Sequence, residues 1–322
     1  SAFTNLNVSA EDHVNHGEKD IKTEIKETIA HHLMDSHDFI LTHDLSFPLP
    51  IILYTDGNLD IFSSANFHHG TKSHTVNGRT YSLDHGHIIE ASGLHPIDFS
   101  ITKNVTFIMI VFLMMLIMFT RMAKSYKKSA LPSGMGRLLE PIVLYIRDDI
   151  AIPNIGEKHY KKYMSYLLTV FFFIWIINLF GLTPLGVNVT NNIAVTLSLA
   201  LITYVLTTVT ANKSYWGHIF WMPGVPVPMK FILAPIELLG TIIKPFSLMI
   251  RLYANITAGH VVLMSILGLI FIFKGWIGSS LSFGLAFALA LLELLVAALQ
   301  AYIFTMLSAL YFGSAVEEHD DH

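Results

Sequence analysis

FILAPIELLGTIIKPFSLMIRLYANITAGHVVLMSILGLIFIF, residues 231–273, is apolar almost throughout, and a second apolar run covers 275–313. Only a Lys-Gly pair interrupts them. At about 1.5 Å of rise per residue the second run is roughly 60 Å long as a helix, whereas a bilayer's hydrocarbon core is about 30 Å thick. Helices of that length must tilt steeply or run partly along the membrane. Pro235 and Pro245 are expected to kink the first.

Working outward, the same solvent dictates the rest. Of 322 residues, 52% are hydrophobic and only 14% charged, and the clustering of apolar residues marks a membrane protein. Shorter spans are expected at Ile101 to Thr120, Tyr163 to Leu182 and Ile193 to Ala211, giving five in all. Between the first two, Leu138, Leu139, Ile142, Val143 and Ile146 recur at helical spacing among charges, as in a helix lying on the membrane surface. The connection 121–162 holds nine Lys/Arg and the turn 183–192 none. The basic side is therefore cytoplasmic, or matrix-like. The amino terminus then lies outside and the closing EEHDDH inside.

Residues 1–100 differ in kind. They carry 5 Lys/Arg against 14 Asp/Glu, while the remainder carries 15 against 10. Ile21, Ile25, Ile29 and Leu33 fit one amphipathic helix over 18–35. Asp56-Gly57 and Asn77-Gly78, each between strand-like runs, read as hairpin turns. The fold expected is mainly α: a polytopic domain over 101–322 with about five spans, a surface helix and two very long tilted C-terminal helices. It follows a small α+β extramembrane domain over 1–100. A domain outside the membrane implies that a signal peptide preceded Ser1. Twelve of the 17 histidines fall in 1–100, clustered at His31, His32, His37, His68 and His69; surface histidines are the expectation, metal ligands or proton buffers the alternatives. No cysteine is present, which excludes disulfides and thiolate metal sites.

Chemistry is concentrated where charge interrupts the long helices. An ionisable residue at mid-membrane costs about 2.5–3.5 kcal/mol on insertion scales and tends to mark an ion pathway. Glu237, Lys244 and Arg251 are seven apart, drifting only about 20° per step around a helix, and Asn255 lies one turn beyond. On the last helix Glu293, Gln300 and Tyr311 form a second stripe. His260, nine residues past Arg251, points to roughly the opposite side and suits a separate compartment. Lys244, before Pro245, reads as snorkelling toward an interface. Asn255, Gln300 and Tyr311 could equally serve helix packing.

Three stretches carry a resemblance: PIELLGTIIKPFSLMIRLYANITAGH (235–260), ELLVAALQAYIFTMLSALYFGSAVEEH (293–319) and NLFGLTPLG (178–186). They resemble the membrane proton-channel subunit of F-type ATP synthases, subunit a, over about 103–319; the first hundred residues show no comparable match. The resemblance implies that Arg251 is the essential arginine facing the rotor ring, with Asn255 and Gln300 beside it. Glu237 matches the acid of the outlet half-channel, His260 and Glu293 the proton-uptake pair, and Tyr311 a tyrosine near the inner exit. Histidine first and glutamate second resembles the mitochondrial arrangement. Gly181 stands where some bacterial members have an aspartate.

The implied partners are a rotor c-ring, peripheral-stalk b subunits, the catalytic head and membrane lipid, with no nucleic acid and no cofactor. The implied location is a bacterial inner membrane, a mitochondrial one being the alternative. Without a Walker-type phosphate loop the chain itself should not hydrolyse ATP. A secondary transporter is the alternative class, although no internal repeat divides the spans; a membrane anchor would leave the aligned charges without purpose. The coupling ion is a proton by default, with sodium open, because the ion-binding carboxylate belongs to the ring.

Overall fold

The computed structural model describes residues 38–42, 45–67, 72–84, 87–93, 96–128, 134–183, 189–222, 225–272 and 276–317. The expected helix over 18–35, the histidine clusters at 31–37 and 68–69, residues 184–188 of the turn 183–192, the Lys-Gly interruption and the terminal EHDDH lie outside the described residues.

The helices are α1 (Lys103–Lys128), α2 (Met135–Tyr145), α3 (Ile152–Ile155), α4 (Tyr160–Gly181), α5 (Ile193–Thr210), α6 (Lys213–Phe220), α7 (Val227–Ile272) and α8 (Trp276–Val316), with a π-helical turn, Ile146–Ala151, joining α2 to α3. Five of them, α1, α4, α5, α7 and α8, are long and apolar enough to cross a membrane. The span limits read from sequence hold to within a few residues, except that α1 continues through the basic RMAKSYKK. Helix α7 runs through both Pro235 and Pro245 as one continuous helix.

The chain divides into two compact units. The first comprises Ser1–Phe107, Gly181–Asn188 and Ala258–Glu293, the second Ile108–Phe180, Val189–Thr257 and Leu294–His322.

Among the described residues of the first unit, eight short strands form three antiparallel sheets: β1 (Asp38–Thr42) with β2 (Leu45–Pro48); β4 (Asn58–Ser63), β3 (Pro50–Thr55) and β8 (Ile97–Asp98); and β5 (His74–Val76), β6 (Arg79–Asp84) and β7 (His87–Glu90). Both hairpin turns fall where the sequence placed them. Thr55 pairs with Asn58 and Val76 with Arg79, and Asp56, Gly57, Asn77 and Gly78 all take positive φ, which two-residue turns matching strand twist require. Alternation buries Ile51 and Leu53 of β3 and Phe62 of β4 against Phe67, Tyr81 and Ile88. Asp60 is drawn into the same interior, fully buried. It accepts hydrogen bonds from Asn77 Nδ2 at 2.6 Å and the Tyr81 hydroxyl at 2.7 Å, and pairs with Arg79 at 3.5 Å.

The second unit is a helical bundle knit by hydroxyls, because lipid offers a polar group no other partner. Tyr163 donates to Thr210 and Tyr166 meets Thr203, each at 2.7 Å, tying α4 to α5. Tyr163 also stacks on Phe312 of α8, ring centroids 4.4 Å apart. The segment from α2 to α3 lies along α8: Tyr145 faces Tyr302, and Asn154 bonds Ile150 O at 2.7 Å and Met306 Sδ at 3.3 Å.

Candidate ion-conducting site

Helix α7 sorts its side chains by period. Thr241, Leu248, Met249 and Leu252 are buried; Ile236, Leu239, Ile243, Phe246 and Ile250 are exposed. Glu237, Lys244 and Arg251, on the seven-residue repeat, are all half-buried. Asn255, a turn past Arg251, is exposed. On α8 the buried face runs through Glu293, Ala297, Gln300, Ala301, Phe304, Ser308 and Phe312, Glu293 being 8% and Gln300 4% exposed. Tyr311 is half-buried. Two helices thus carry polar groups on faces that are otherwise apolar.

Among the described residues Arg251 makes no hydrogen bond and no ion pair with this chain's own carboxylates. A guanidinium carries five donors and a charge that it does not give up.

Glu237 and Lys244 open onto one cleft of about 220 Å³, lined also by Ser214, Tyr215, His218 and Ile219 from α6 and by Ser314 and Glu317 at the end of α8. Asn212, just before α6, ties this element to the end of α8. Its backbone N–H donates to Ala315 O at 2.8 Å and its side chain to Val316 O at 3.0 Å, satisfying carbonyls that the end of α8 would leave unpaired. Burial pushes the Tyr215 hydroxyl above its usual range, and Tyr204 and the Glu237 carboxylate push the same way. Farther along α7 a narrow cavity is bounded by Thr203, Tyr204, Thr207, Lys244, Leu248 and Tyr311. The Lys244 ammonium lies 5.5 Å from the Tyr311 ring centroid. Lys244 therefore borders both cavities, where a cation finds an aromatic face and polar neighbours.

Glu293 lies against α7 at Gly259. A Cβ placed on Gly259 would sit 3.2 Å from Glu293 Oε1, so the glycine leaves the carboxylate its room. The His260 side chain is outside the described residues.

In the second unit a further polar cluster is present. Thr190 donates to buried Asn178 at 2.9 Å, the other amide atom of Asn178 has no partner among the described residues, and Thr257 donates to Asn191.

Sequence reasoning singled out Glu237, Arg251, Asn255, His260, Glu293, Gln300 and Tyr311. It missed Tyr215, His218 and Glu317 as cleft residues, and Asn178 and Thr190 as a buried pair. The signal for Asn178 was a lone amide in an otherwise apolar span. Tyr215 and His218 lie between the third span and the first long helix, in a stretch where no site residue was expected.

The family model described as ATP synthase A chain matches residues 105–313, and one described as a domain of unknown function matches 28–105. ATP synthase subunit a of Chloroherpeton thalassium is 41% identical over 261 residues, covering 79% of this chain and 77% of that protein. The protein of that name from Chlorobium phaeobacteroides is 46% identical over 235 residues (70% and 68%). The one from Myxococcus xanthus is 40% identical over 246 residues (74% and 81%).

Proposed function

The chain belongs to the ATP synthase A chain family, an integral membrane subunit that translocates protons within the ATP synthase complex; from this premise we propose that protons reach and leave a rotor-ring carboxylate through two offset half-channels built on α7 and α8. A proton enters from outside past Glu293 and His260 and neutralises a ring carboxylate. A neutral carboxyl can face lipid whereas an ion cannot, so the ring turns. After nearly a full turn the carboxyl meets the inner half-channel and gives up its proton near Glu237.

Arg251 separates the two routes. Its fixed charge repels protons, which blocks a direct leak, and favours the ionised form of an approaching carboxylate. Asn255 and Gln300 flank it, and Tyr311 stands toward the inner exit. The observation that carries this reading is Arg251 itself: half-buried on a membrane helix, without an ion pair to its own chain among the described residues. The 220 Å³ cleft at Glu237 supports an inner half-channel. The contact of Gly259 with Glu293 supports a pairing of 260 with 293 in the outer one.

In this reading the polar amino-terminal domain lies outside a bacterial inner membrane and the carboxy terminus lies in the cytoplasm. The α2–α3 segment lies along the inner surface, and α7 and α8 tilt to fit the bilayer. The ring and the peripheral-stalk b subunits bind the membrane part and link it to the catalytic head. The test is Arg251→Lys. A lysine can lose its proton when buried, so coupled ATP synthesis in reconstituted vesicles should be abolished. Normal synthesis by a fully assembled variant would contradict the role.

A further inference from the structure

We infer that His218 and Glu317 form a proton-collecting relay that feeds Glu237 at the mouth of the inner half-channel. The inference rests on the reading of Glu237 given above and extends it to two residues outside the aligned stripes of α7 and α8.

Three elements bring the groups together. Helix α6 supplies Tyr215 and, in its last turn, His218; α7 supplies Glu237 and Lys244; the end of α8 supplies Ser314 and Glu317. These are the titratable and charged groups that share the cleft with His218, with Tyr311 one step farther beside Lys244. His218 is half-buried and Glu317 exposed, so the set grades from solvent to interior. A cleft of about 220 Å³ holds several waters at about 30 Å³ each. Waters can therefore bridge groups that do not touch.

The chemistry suits the position. An imidazole is the side chain whose ordinary titration falls nearest neutrality, and it both accepts and donates a proton. Glu317 draws protons toward the opening. His218 takes one up as imidazolium, passes it through water to the Glu237 carboxylate, and returns to neutral imidazole ready for the next. Only N–H and O–H bonds are made and broken, and in synthesis the same steps run in reverse. Packing alone would not require ionisable side chains from three separate elements around one space that holds several waters.

The relay is tested on the intact ATP synthase in inverted membrane vesicles, where the inner half-channel faces the medium. ATP-driven acidification of the lumen is followed against medium pH for wild type, His218→Gln, Glu317→Gln and Glu237→Gln, at matched ATPase content. With the relay, His218→Gln slows pumping several-fold at alkaline pH, where protons are scarce, and leaves it near wild type at acid pH. Glu317→Gln does the same more weakly, and Glu237→Gln is slow throughout. A His218→Gln profile parallel to wild type, or a loss equal at every pH as a purely structural role would give, overturns the relay while the Glu237 reading stands. If Glu237→Gln also pumps normally, the inner half-channel falls and the relay with it.

Discussion

Glu293 shows how little separates a channel residue from a packing residue. It sits 8% exposed on α8, with the backbone of Gly259 close enough that an added Cβ would approach Oε1 to 3.2 Å. Two outcomes follow. Glu293→Gln should slow ATP-driven pumping while leaving assembly intact, since the amide keeps the shape but cannot carry a proton. Gly259→Val should slow it several-fold by displacing the carboxylate, with Gly259→Ala milder because a flexible side chain can retreat a few tenths of an ångström. Vesicle acidification, normalised to the amount of assembled subunit, measures both; unchanged rates would separate Glu293 from the proton path. At this scale the sequence was most legible where charge met periodicity. Glu237, Arg251, Glu293 and Gln300 stand out because lipid makes each one costly. Tyr215 and His218 did not, because a polar residue in a connector carries no such penalty and its neighbours come from distant parts of the chain.

Helix limits were legible for a similar reason: charge-free runs end where the solvent changes. How helices meet was not. Among the described glycines of the second unit, the tightest fit is at Gly313 of α8, where an added Cβ would run into the backbone carbonyl of Asn154. A carbonyl fixed in a helix cannot swing aside, so Gly313→Ala must push α8 off the α2–α3 segment. The expected cost is about 1–3 kcal/mol, read as a lower thermal midpoint of the detergent-solubilised chain; a midpoint equal to wild type would show that the segment yields freely. The amphipathic pattern of 135–155 gave helix but no partner, since Tyr302 and Met306, which it meets, lie some 150 residues away. The two Asn/Asp-Gly hairpins were read correctly because their signal is local, within four residues.

For the molecule as a whole, the amino-terminal strands carry one fully buried carboxylate, Asp60, and its partners join β4 to β6. Burial alone would raise its carboxyl, but hydrogen bonds from Tyr81 and Asn77 and the charge of Arg79 outweigh it and hold the pKa below the ordinary 3.8. A carboxylate lowered on folding contributes stability above its unfolded value. That contribution is lost as pH falls from 3.8 through the folded value. Resistance of residues 50–90 to an acid protease should therefore decline below that pH in the intact chain. Asp60→Asn should be less resistant at pH 5, with a flatter decline; an unchanged pH profile would remove Asp60 as the cause. None of this network was visible beforehand, because Asp60, Asn77 and Tyr81 are joined only by the fold. The central claim concerns the opposite end of the scale of charge, a guanidinium kept for another protein's carboxylate. The most direct measurement is a structure of the assembled complex in its membrane: Arg251 should lie across from a ring carboxylate, at about 3–4 Å in the paired state, and an Arg251 facing lipid or bound to its own chain would contradict it.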